Sequence, residues 1–117
     1  RARARYDYYA MRATQVEIFR EITEILLQIE VTVQKEQLTA LAQLFKAIGK
    51  NYAKENDGQA LMQQVEETLD TYRASDLPKT REEFEARARL FQILQLIQTF
   101  VQIKRDYMHL SQERQQK

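Results

Sequence analysis

Residues 80–112 read TREEFEARARLFQILQLIQTFVQIKRDYMHLSQ, and the reading of this stretch decides the fold. It opens on a helix-start signature. Thr80 is followed three residues later by Glu83, a pair whose side chains satisfy the first free amides reciprocally, and Glu82 and Glu83 suit the positive end of the helix dipole. Upstream, Pro78 has no amide proton and biases Leu77 away from helical angles, so residues 74–79 form a connection. Downstream neither Gly nor Pro interrupts, which predicts one helix from Arg81 to about Gln112. Residues 90–103 carry no charge, and their apolar side chains cover well over half of the helix circumference. One bundle core does not use all of that surface. Either this helix is central, packed by three others, or part of it meets a second copy across a glutamine-lined rim, with Phe91, Leu94, Ile97 and Val101 as the candidate oligomer interface.

Working outward, three more helices complete the chain. From about Arg5 to Glu30 the residues Val16, Phe19, Ile22, Ile25 or Leu26, and Ile29 step by three and four, with Glu17, Glu21, Glu24 and Gln28 on other faces. The β-branched run Val31, Thr32, Val33 then weakens helical propensity, so a short break is expected between 31 and 35. A second helix runs from about Glu36 to Lys54, with Leu38, Leu41, Leu44 or Phe45, Ile48 and Tyr52 inward. Lys54-Glu55-Asn56-Asp57-Gly58 is a turn in which Asn56 or Asp57 caps a third helix carrying Leu61, Val65, Leu69 and Tyr72. The expectation is an all-α, antiparallel up-down four-helix bundle, a single domain over residues 1–117. The helices would span about 40, 30, 25 and 48 Å in chain order, so the longer first and last helices project as a two-helix stalk.

Composition narrows the chemistry. Hydrophobic residues are 44% and charged residues 30%, too apolar for disorder and too charged for a chain inside a bilayer. Two Gly and one Pro leave almost no turn residues for an all-β domain. There is no Cys and one His, so disulfide frameworks, thiol catalysis, zinc clusters and serine-histidine triads lack parts. Asp106 and His109 share a helical face, but without a second histidine a di-iron bundle site cannot be assembled, and a surface histidine is the simpler reading. We therefore expect no enzyme activity, no catalytic residue, no cofactor and no metal. The start Arg-Ala-Arg-Ala-Arg is not a secretory signal, and 90–103 is too short and too rich in Gln for a membrane span. A first residue other than methionine fits a piece excised from something longer.

Charge divides the chain in space. Arg1, Arg3, Arg5 and Arg12 outweigh Asp7 by +3, and Lys104, Arg105, Arg114 and Lys117 outweigh Asp106 and Glu113 by +2, while ten bases against fourteen acids leave residues 13–103 at −4. A neutral-looking chain thus has basic ends. Three readings stay open: an anionic lipid surface, to which each Lys or Arg contributes about 1 kcal/mol; a nucleic acid, kept in view by Tyr6, Tyr8 and Tyr9 beside the arginines; and plain solvation. On the first reading Arg1, Arg3, Arg5 and Arg12 are the candidate membrane-proximal residues.

The run Leu77-Pro78-Lys79-Thr80-Arg81-Glu82-Glu83-Phe84-Glu85-Ala86-Arg87-Ala88-Arg89-Leu90-Phe91, followed by Leu94 and by Phe100 to Lys104, resembles the C-terminal cytoplasmic domain of the bacterial putative aromatic acid exporter family. That family is similar to fusaric-acid-resistance-type membrane proteins. Tyr8, Tyr9, Arg12 and Gln15, and further on Asn56 and Leu61, also look like that domain. The resemblance implies a helical domain that follows transmembrane helices, at the cytoplasmic face of the bacterial inner membrane. Its partners would be its own transmembrane domain and further copies, and its role a non-catalytic one, assembling subunits or sensing a small organic acid. The alternative from another class is a soluble helical adaptor whose basic termini bind nucleic acid or an acidic protein.

Overall fold

Four helices and no strand make up the described residues of the computed structural model, which are 2–29, 35–51 and 58–116. They are α1 (Ala2–Leu26), α2 (Lys35–Asn51), α3 (Gln59–Ala74) and α4 (Arg81–Gln116). At 1.5 Å per residue, the 36 residues of α4 reach about 54 Å. The whole molecule measures 55 × 24 × 19 Å, so α4 sets its length. Every other helix packs on α4. Leu90, Ile93, Leu94 and Ile97 are completely buried, joined by Leu44 of α2, Val65 of α3 and Ile22 and Ile25 of α1.

Of the two readings of residues 90–103, the structure therefore has the central helix. Leu94, Ile97 and Val101, expected as candidates to meet a second copy, belong to the core of the single chain. The fourth, Phe91, is half-buried with the Arg73 guanidinium 5.4 Å above its ring. For Leu94, Ile97 and Val101 the expectation is corrected, since a side chain sealed in the core has no surface left to offer a second copy.

Contacts spread along α4 fix the directions of α1 and α3 against it. Tyr8 meets Tyr107, Gln15 bonds Phe100 and Gln28 bonds Arg89, so α1 and α4 are antiparallel. Gly58 lies against Val101, Arg73 against Phe91 and the Asp76 carbonyl accepts from Arg87, so α3 and α4 are antiparallel too. The first turn of α2 touches the last turn of α3, where the Tyr72 hydroxyl donates to the Gln37 carbonyl at 2.7 Å. One side is not closed in this way. Among the described residues no Cα of α1 comes within 8 Å of α2, and a T-shaped Phe19–Phe45 ring contact with centroids 6.0 Å apart spans the seam.

Helix boundaries follow local chemistry. The Thr80 hydroxyl accepts from the Glu83 amide at 3.1 Å, as the sequence leads one to expect. The return arm differs by one residue: the Glu83 carboxylate accepts from the amide of Lys79 at 2.8 Å rather than from that of Thr80. At α3 the capping position is Gly58, whose φ of 72° is costly for residues with a side chain, and a Cβ there would meet Val101 Cγ1 at 3.3 Å. Asn56, Asp57, Tyr52 and the break at 31–34 lie outside the described residues. Threonines inside helices return their hydroxyls to the carbonyl four residues back, as at Thr14, Thr23, Thr39, Thr68, Thr71 and Thr99.

The first helix uses a different stripe from the expected one. Met11, Gln15, Ile22, Ile25 and Ile29 are buried and Ile18 half-buried, a strict alternation of four and three. Val16 and Phe19, expected inside, are 57% and 49% exposed. Three steps of three residues each turn the expected line back by about 60°, so a row through 16, 19, 22 and 25 drifts half-way round the helix and cannot face one partner.

Candidate functional site

Beyond Gly58 and Val101 the bundle loses α3, and among the described residues α1 and α4 continue as the expected two-helix stalk. Beside buried Met11, its seam is largely polar and aromatic. Gln15 is buried at the base, where its Nε2 donates to the Phe100 carbonyl at 2.9 Å and its Oε1 accepts from Arg12 Nη1 at 2.9 Å. Arg12 also donates Nε to the Tyr8 hydroxyl at 3.3 Å and sits 5.4 Å from the centre of the Tyr8 ring. Tyr8 in turn stands edge-on to Tyr9 and to Tyr107 across the seam. No buried side-chain nitrogen or oxygen among the described residues lacks a partner. Lys104 shares this place, and burial, followed by the Arg12 charge, pulls its ammonium below the ordinary lysine value, with Tyr8 acting the other way.

Of the candidate membrane-proximal arginines, Arg5 is exposed and Arg12 is half-buried in the network just described. Arg1 and the side chain of Arg3 lie outside the described residues. No described helix is long and apolar enough to cross a membrane. His109 and Asp106 are exposed, with Asp106 accepting from Gln102 at 2.8 Å. The described residues contain no group of three or more His, Cys, Asp or Glu side chains placed to hold a metal. Glu17 and Arg20 pair at 3.6 Å on open surface, where such a pair contributes little.

The motif at the start of α4 divides into two parts. Thr80 and Glu83 are the cap, while its apolar members Leu77 and Phe84 are 86% and 62% exposed at the pole away from the stalk. Arg87 holds the connection by donating to the Asp76 carbonyl.

The model of the family described as the putative aromatic acid exporter C-terminal domain matches residues 1–105. The chain belongs to that family. The match takes in the whole four-helix body of the exporter-family domain and the first part of the stalk, and it ends just before Tyr107. A curated relative, an uncharacterized protein YqjA of Bacillus subtilis (strain 168), is 28% identical over 99 residues. That alignment spans 85% of this chain and 30% of the relative, so the exporter-family domain covers less than a third of the relative's length. No solved structure matches the chain.

Sequence reasoning missed the α1–α2 seam. Val16 and Phe19 of α1 are exposed, and Phe19 meets the half-buried Phe45 of α2 edge-on. The signal was present as a second row on α1, Tyr9, Arg12, Val16, Phe19, Thr23 and Leu26, which steps by three and four alongside the core row.

Proposed function

We propose that this domain is a non-catalytic accessory part of an exporter-like membrane protein, attached at the cytoplasmic face, and that it acts in assembly of the subunits. The observation that carries the reading is the family match over residues 1–105, which takes in the whole four-helix body. The packing favours assembly over sensing. Leu44, Val65, Leu90, Ile93, Leu94 and Ile97 are fully buried aliphatic side chains, and the one buried polar side chain among the described residues, Gln15, spends its amide on Phe100 and Arg12. A small organic acid would have to displace that core or bind at the surface.

The test uses the membrane protein that carries this domain, with and without it, in detergent. A smaller number of subunits after removal supports assembly. An unchanged number, combined with a melting shift when benzoate or a related carboxylate is added to the intact protein, would transfer the role to sensing. An unchanged number with no such shift rejects the accessory reading, and salt-sensitive binding of the chain to nucleic acid would favour a soluble adaptor.

A further inference from the structure

The charge of the bundle is divided across its width as well as along its length. On the part of α1 inside the body, Val16 and Phe19 lie on one row, and Val16, Arg20 and Thr23, continued by Leu27 just past the helix, form the adjoining row. The Phe19–Phe45 contact turns this side of α1 toward α2. There the row Leu38, Ala42, Phe45, Gly49 lines the seam, and exposed Lys35 and Lys46 stand on the next row outward. The described positions along the seam thus combine apolar and aromatic side chains with Arg20, Lys35 and Lys46, and none of them is acidic. The acids of α1 beyond Asp7, namely Glu17, Glu21 and Glu24, step along a different row, and Glu66, Glu67 and Asp70 are on the exposed surface of α3.

We infer that the α1–α2 face docks on an anionic lipid bilayer, so that α1 lies along the membrane surface instead of meeting it end-on at the stalk. Charge complementarity selects this occupant. A second copy presenting the same face would bring three like charges against three. A nucleic acid would meet the cations but would leave exposed Val16 and Leu27 without a matching apolar surface. A bilayer interface accepts both, with aromatic and aliphatic side chains at the headgroup boundary and cations on the phosphates. The Arg20–Glu17 pair is two-thirds exposed on both sides, so turning Arg20 to a phosphate costs little. The membrane setting is taken from the accessory reading above; the assembly role is not, and each can fail without the other.

The test is co-sedimentation of the whole chain with vesicles of phosphatidylcholine containing phosphatidylglycerol, against phosphatidylcholine alone. Binding to the anionic vesicles only is expected. Arg20→Gln with Lys46→Gln, both exposed, should weaken it by about 30-fold, from about 1 kcal/mol per charge. Val16→Ser should weaken it as well, with an unchanged melting curve as the check on folding. Because the chain has no cysteine, one spin probe can be placed cleanly. A label on Thr23→Cys should enter the interface, while labels on Glu66→Cys and on Asp106→Cys at the stalk should remain in water. Failure to bind anionic vesicles, binding indifferent to these changes, or a deeper label at Asp106 than at Thr23 overturns the inference. So does nucleic acid that competes the vesicles off. A loss of subunit assembly with vesicle binding intact, or the reverse, tells the two proposals apart.

Discussion

The body and the stalk are built from the same two helices, yet they are held together by different forces. In the body, α1 and α4 share an aliphatic core with α2 and α3, and its central side chains are sealed from solvent. In the stalk only two helices remain among the described residues, each with most of its circumference in water, so fewer side chains are enclosed on all sides. Beside buried Met11, the seam is filled by groups that are apolar along the stem and polar at the tip: Tyr8, Arg12, Lys104 and Tyr107 over a glutamine floor. The change of material coincides with the loss of α3 as a neighbour. Side-chain chemistry along α1 and α4 thus tracks how many helices surround each turn.

The largest effect that would sharpen this contrast lies in the body. Leu94→Ala should cost about 3 kcal/mol, because a fully buried leucine gripped by several helices leaves a cavity that rigid neighbours cannot close. Chemical denaturation measures it, and a loss below about 1 kcal/mol would mean that the body is no better packed than the stalk. Next comes the floor between the two regions. Gln15→Ala should cost about 1 to 2 kcal/mol through the two lost hydrogen bonds, whereas Gln15→Met, which keeps the volume, should cost less. Equal costs would show that packing, not hydrogen bonding, holds the stalk to the body. Smaller again is the cap at the far pole. Thr80→Ala should remove about 1 kcal/mol, with hydrogen exchange quickened in the first turn of α4 and unchanged in the stalk.

How far the sequence carries one differs between these regions in the same way. The cap at Thr80 and Glu83 and the uninterrupted run to the end of α4 were legible because they rest on contacts within one turn. The stalk was legible from helix lengths alone. What was not legible is which of two adjoining rows on α1 faces inward. Gln15 sits in the true core row and looks polar, while Val16 and Phe19 sit in the neighbouring row and look like core. Only the position of α4, and the distance that α2 keeps from α1, decides between them. The same ambiguity affected Leu94, Ile97 and Val101, since an uncharged helix reads alike whether three helices of its own chain cover it or another copy does. The basic α1–α2 face escaped notice because it joins residues from two helices that one sequence cannot place side by side.

Titration gives a further contrast, and body and stalk should answer alkali in opposite directions. Tyr72 in the body is half-buried, its hydroxyl donating to Gln37, and burial pushes it up from 10.0 to about 12. The folded chain therefore holds this proton more tightly than the unfolded chain. The stability it contributes is complete below pH 10 and is lost as the pH rises through about 12. Lys104 in the stalk is shifted the other way, below 10.5, by burial and by Arg12. Its charged form is penalised in the folded chain, so the cost is complete below its lowered value and disappears as the pH climbs to 10.5. Because much of Lys104 remains open to water, solvent screening keeps that cost small. Melting curves should separate the two. Lys104→Met should raise the melting temperature slightly at pH 8 and flatten the rise in stability just below pH 10.5. Tyr72→Phe should remove the fall between pH 10 and 12 while leaving the lower window as it was. If Lys104→Met lowers the melting temperature at pH 8, the stalk depends on that charge, and the division between an aliphatic body and a merely tolerated polar seam is wrong.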